Sequence, residues 1–150
     1  MSAAEAARAL TACCGSSKWV DAMIANRPFG SSEDLYAAAD EAWSQCGPQD
    51  WHEAFSHHPR IGASVSGNEA QEQAGAQSAS TSLKVQLADV NRRYEERFGH
   101  IYIVCATGKT AEEMLAIARA RLGNNPETEL RIAAEEQRKI MQLRLRKLLS

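Results

Sequence analysis

Three of the four histidines, His52, His57 and His58, fall close together and beside Glu53. Imidazole titrates near neutrality, so such a cluster offers two chemistries: metal ligation, or proton transfer by a general acid/base. Zinc on a helix asks for two His at i and i+4 with a Glu next to the first. Here Ser56 stands four residues after His52, and His57 would face away. The expectation is therefore no metal. His58 differs from its neighbours because Pro59 follows it. Proline disfavours the helical region for the residue before it, which presents the His58 imidazole from a loop rather than from a packed helix face.

Two further segments could contribute. Glu72-Gln73-Ala74-Gly75 places a carboxylate and an amide in the first turns of a helix just downstream, where alone they would read as a solvated face. Ile103 to Thr110 ends in Gly108-Lys109-Thr110 ahead of a capped helix and looks like a phosphate loop. Such a loop needs a glycine five residues before its second glycine, and Ile103 occupies that position. A turn and helix cap is the simpler reading, with backbone N–H groups that could bind an anion or a carbonyl oxygen.

The elements that must hold these residues read as helices. Residues 2–14 favour helix and stop at Gly15. Ser16 or Ser17 then caps a helix bearing Trp19, Val20, Met23 and Ile24 on one side. Ser31 or Ser32 caps a third, with Leu35, Ala38, Ala39, Ala42 and Trp43 on one face until Gly47 and Pro48, and a short helix over about 48–56 follows. Residues 57–67 lose periodicity and form a loop. Helix returns at 69–76, then through Leu83, Leu87, Val90, Tyr94 and Phe98 to a stop at Gly99. Ile101 to Cys105 is the one β-like run. Thr110 and Glu113 make a capping box for a helix ending near Gly123, and Asn125 with Pro126 opens the last helix. The expected fold is all-α: residues 1–150 as a single-domain helical bundle with an active-site loop between helices.

Composition narrows the function classes. Apolar residues make up 44% and charged residues 24%, and 17 basic side chains are interleaved with 19 acidic ones. That balance belongs to a globular protein and argues against a nucleic-acid partner. The longest apolar stretch, 101–106, is far too short to span a bilayer, and Glu5 and Arg8 interrupt what a signal peptide would need. Cys13, Cys14, Cys46 and Cys105 show no zinc spacing and read as buried or idle thiols of an intracellular protein. No C-terminal SKL is present.

His58-Pro59-Arg60-Ile61-Gly62 followed by Glu72-Gln73-Ala74-Gly75 resembles the HPxIG and EQxG signatures of the 2-oxo-4-hydroxy-4-carboxy-5-ureidoimidazoline (OHCU) decarboxylases. Asn91 to Gly99 is similar to that family's N-x-x-Y-x-x-x-F-G segment, 103–109 to its apolar run ending in Gly and a basic residue, and Lys139-Ile140 with Leu143-Arg144-Leu145 to its K-I-x-x-L-R-L block. The chain departs from the pattern at Glu69, where many relatives have Ser, and at His100-Ile101, where they have an aromatic-Pro pair.

The resemblance implies an all-helical, usually homodimeric enzyme that needs no cofactor and converts OHCU to (S)-allantoin and CO2 in urate breakdown. It assigns His58 as catalytic acid/base, Glu72 as its partner at the substrate, Gln73 as a hydrogen-bonding ligand and Pro59 as a residue shaping the pocket. Backbone groups of Ile103, Val104 and the turn through Gly108 would meet the ring, and Arg144 would bind a substrate carboxylate or carbonyl with its planar fork. Some members are fused to a transthyretin-like hydrolase domain, a candidate partner for this chain too. Two other readings stay open on the residues alone: a helical protein-interaction module without activity, and a metal-dependent hydrolase built on His52, His57 and His58.

Overall fold

The computed structural model describes residues 1–63 and 67–150. Nine helices are found among the described residues: α1 (Ala3–Cys13), α2 (Ser17–Ala25), α3 (Ser32–Ser44), α4 (Pro48–Phe55), α5 (Gly67–Glu72), α6 (Ala74–Gln77), α7 (Thr81–Phe98), α8 (Ala111–Arg121) and α9 (Pro126–Leu148). The fold is all-α. The chain divides into two compact units, one of residues Met1–His57 and Ala134–Ser150, the other of His58–Ala133. No helix among the described residues is long and apolar enough to cross a membrane.

In the first unit α1, α2 and α3 start where a small polar side chain accepts one of the backbone N–H groups left over at a helix start, whereas α4 starts at Gly47 with Pro48 at its first position. Ser2 caps α1 through a capping box with Glu5, Ser16 caps α2 at Trp19 N, and Ser31 caps α3 at Asp34 N. Trp19, Met23, Ala39, Phe55, Met141 and Leu145 are almost wholly removed from solvent and form its interior. Burying indoles requires partners for their N–H groups. Trp19 Nε1 donates to the Ala39 carbonyl at 3.0 Å and Trp43 Nε1 to the Ala134 carbonyl at 3.1 Å. Glu53 on α4 accepts both the backbone N–H and the hydroxyl of Ser17 at the start of α2.

The second unit is built around α7 and α8. Its core joins Ile61, Ala76, Leu87, Val90, Tyr94, Tyr102, Val104, Met114 and Ala118. α7 stops at Gly99, whose φ of 78° is a left-handed cap that glycine adopts without penalty. The capping box of Thr110 and Glu113 is formed as expected, and the Asn125 side chain accepts from Thr128 N at the start of α9. One expectation needs correcting: 69–76 does not form one helix. The helix breaks at Gln73, whose φ of -99° and ψ of 25° leave the helical region, so α5 and α6 are separate. Residues 101–106 run extended, with no strand among the described residues and with Tyr102 to Ala106 buried.

Candidate active site

His58 lies in the bend just after α4, with Pro59 behind it; both are half-buried, whereas His57 and Arg60 are exposed. Residues 64–66, within the expected loop, lie outside the described residues. The start of that loop is gripped at successive positions within the second unit. Arg60 donates Nε and Nη2 to the two carboxylate oxygens of Glu95 at 2.9 and 2.8 Å, a fork-to-carboxylate pair. The Ile61 carbonyl accepts Asn91 Nδ2 at 2.8 Å. The Gly62 N–H donates to Gln73 Oε1 at 3.0 Å, and Gln77 Nε2 reaches the Ala63 carbonyl at 2.8 Å. Gly62 sits at φ +90°, a conformation other residues rarely adopt, which explains a glycine at the end of the HPRIG stretch.

Gln73 therefore spends its side-chain oxygen on the loop, and its burial follows from that. Two residues later Gly75 makes the closest approach in the unit: a Cβ there would lie 2.2 Å from the Lys109 carbonyl oxygen. Only a hydrogen fits. This contact brings Glu72, half-buried at the end of α5, to the turn at Gly108 and Lys109, and the two segments line one cleft of about 510 Å³. Gly108 holds φ +77° and turns the chain into the cap of α8. His58 does not line that cleft.

Ile103 and Val104 are buried, and the carbonyls of the extended run are met by side chains. Arg121 Nη1 donates to the Ile103 carbonyl at 2.8 Å, and Lys109 Nζ to that of Cys105 at 2.7 Å. Arg121 is itself paired with the fully buried Glu129, to which Tyr94 also donates its hydroxyl. Burial pushes the Tyr94 hydroxyl well above its ordinary value, and its bond to Glu129 adds to this. Arg121 and Glu129 carry no signal in any motif. The signal that could have exposed them is a charged residue inside an apolar stripe, Arg121 following Met114 and Ala118 at helical spacing.

Arg144 belongs to the first unit, where it is buried and donates Nη1 to the Ala12 carbonyl at 3.0 Å. No group of three or more His, Cys, Asp or Glu that could hold a metal occurs among the described residues. All four cysteines are buried thiols outside any disulfide, and burial, the largest influence, pushes Cys14 up to about 12.

A family model described as OHCU decarboxylase matches residues 1–146. The chain belongs to the OHCU decarboxylase family. Among its relatives, the uric acid degradation bifunctional protein TTL of Arabidopsis thaliana is 42% identical over 92% of this chain and 45% of its own length. The 2-oxo-4-hydroxy-4-carboxy-5-ureidoimidazoline decarboxylase of Amia calva is 31% identical, covering 83% of this chain and 75% of the relative. A crystal structure of OHCU decarboxylase in the presence of (S)-allantoin superimposes with a TM-score of 0.84 at 39% identity, over 92% of this chain and 94% of that one. The chain thus spans less than half the length of the bifunctional members it matches.

Proposed function

We propose that this chain is a carboxy-lyase that converts OHCU to (S)-allantoin and CO2 without a cofactor. The observation that carries the reading is the family match over 1–146, reinforced by the fold shared at 39% identity with an OHCU decarboxylase solved with (S)-allantoin.

The chemistry suits these side chains. The substrate carbon that loses CO2 also bears a hydroxyl and adjoins a ring that can take up the electron pair of the broken C–C bond. His58 and Glu72 manage the hydroxyl proton and the developing charge, and protonated His58 then delivers a proton to one face of the adjacent ring carbon, setting the S configuration. In this reading Glu72 supplies, at the bound substrate, the carboxylate that stabilises the imidazolium. Pro59 shapes the pocket and Gln73 contributes a hydrogen bond. Backbone groups of Ile103, Val104 and Gly108 meet the ring, and Arg144 binds a carboxylate or carbonyl. Support for the His58 role comes from its half-buried loop position and from the grips on Ile61 and Gly62 that limit how far the loop can move.

The same reading makes the protein a homodimer acting in urate breakdown, in the cytoplasm or the peroxisome, and makes a transthyretin-like hydrolase domain its fused or separate partner; bifunctional relatives support the last point. The test is a chiral assay on freshly generated substrate. Excess (S)-allantoin over the racemate of unassisted decay supports the enzyme, and a racemate at the unassisted rate supports an interaction module.

A further inference from the structure

The buried run Tyr102 to Ala106 poses a physical problem. It is extended and has no strand partner among the described residues, so its carbonyls cannot be satisfied by a ladder. His100 Nδ1 lies 2.9 Å from the Ile101 carbonyl, Arg121 Nη1 takes that of Ile103, and Lys109 Nζ takes that of Cys105. Side chains thus meet carbonyls of this stretch that a sheet would give to a neighbouring strand.

Arg121 is the anchor that other groups hold in turn. Its Nε donates to Glu129 at 2.9 and 3.1 Å, and its Nη2 reaches both Glu129 and the Tyr94 hydroxyl. Asn124 Nδ2 supports Glu129 Oε1 at 3.2 Å. The guanidinium lies over the Tyr102 ring at 5.0 Å and the Tyr94 ring at 5.8 Å. Each of its three nitrogens therefore has an acceptor, and it is Nη1 that reaches the 102–106 run. A buried ion pair is a poor device for stability alone, because apolar residues of similar size often do as well or better. Its use lies in fixing one arrangement.

We infer that Arg121, held by Glu129, is the positioning residue that sets the place of the Ile103-Val104 backbone, the segment to which the proposed decarboxylase reading, on which this inference rests, gives the substrate ring. Arg121 acts through that backbone and not on the reacting atoms. Its removal weakens substrate binding and leaves the chemical step nearly intact, which kinetics reports as a raised KM with little change in kcat.

The experiment pairs steady-state kinetics on freshly generated OHCU with amide hydrogen exchange of the ligand-free protein. Arg121→Lys keeps the charge but cannot span Glu129 and the Ile103 carbonyl together. The double variant Arg121→Met with Glu129→Leu replaces the pair by apolar residues and guards against a fold lost to one stranded charge. Both are expected to speed exchange in 102–106 selectively and to raise KM about tenfold or more, with kcat within about threefold of wild type. Wild-type exchange in that run, or faster exchange with an unchanged KM, overturns the inference. A wild-type protein that makes no (S)-allantoin overturns the decarboxylase reading instead, and the exchange rates then decide by themselves whether Arg121 fixes the run.

Discussion

The side-chain oxygen of Gln73 accepts the backbone N–H of Gly62 at 3.0 Å, joining the two most distinctive stretches of the sequence, HPRIG and EQAG, by one hydrogen bond. The loop that carries His58 and the helix end that carries Glu72 are thereby tied through their neighbours. Gln73→Leu keeps the volume and removes the acceptor, leaving the Gly62 N–H without its partner. The expected loss is about 1 kcal/mol of stability, the low end of the penalty for an unsatisfied donor, because the bond is only part-buried. Urea melts of wild type and variant measure it, and an unchanged midpoint contradicts the tie.

Gly75 offers a prediction in which two effects oppose each other. Helix propensity alone favours Gly75→Ala by about 0.5–1 kcal/mol. The new Cβ would lie 2.2 Å from the Lys109 carbonyl oxygen, a backbone atom that cannot swing aside. Overpacking of this kind costs about 1–3 kcal/mol, so the clash wins and the variant is less stable. A rise in Tm would show that α6 moves freely away from the Lys109 turn.

Glu53 makes part of the stability depend on acid. The Ser17 hydroxyl, and after it the Ser17 N–H, hold its carboxyl below the ordinary glutamate value. A group with a lowered folded pKa stabilises the fold above its unfolded pKa, and that contribution disappears as pH falls through the folded value. Glu53→Gln is therefore expected to cost about 0.3–1 kcal/mol near neutrality, the scale of a carboxylate at a helix start. The gap from wild type should close below about pH 4, where the unfolded carboxyl is already largely protonated. Thermal melts across pH at low salt check this, and a gap that persists undiminished at low pH contradicts it.

Local chemistry made much of the fold legible in the sequence. Ser16, Ser31 and the Thr110/Glu113 box act at the helix starts where such residues were expected, and Gly99 stops α7 in the left-handed conformation. Pro59 marks the stretch after α4 in which His58 lies in a bend, outside any helix. The break at Gln73 was not legible, because its cause is long-range: a side chain turned toward Gly62 and a glycine pressed on Lys109. The Arg121–Glu129 pair left a weaker trace. Arg121 shares an apolar stripe with Met114 and Ala118, but charged residues on amphipathic helices usually face water, and the partners Tyr94 and the Ile103 carbonyl come from elsewhere in the sequence.

The proposed stereospecific decarboxylation by His58 and Glu72 is read in the enantiomeric excess of allantoin formed from freshly generated OHCU. Wild type is expected to yield (S)-allantoin. His58→Asn and Glu72→Ala, both folded by circular dichroism, are expected to fall by about 10²- to 10⁴-fold in rate and to drift toward racemic product. (S)-allantoin made by both variants at the wild-type rate would mean that neither side chain carries the reaction.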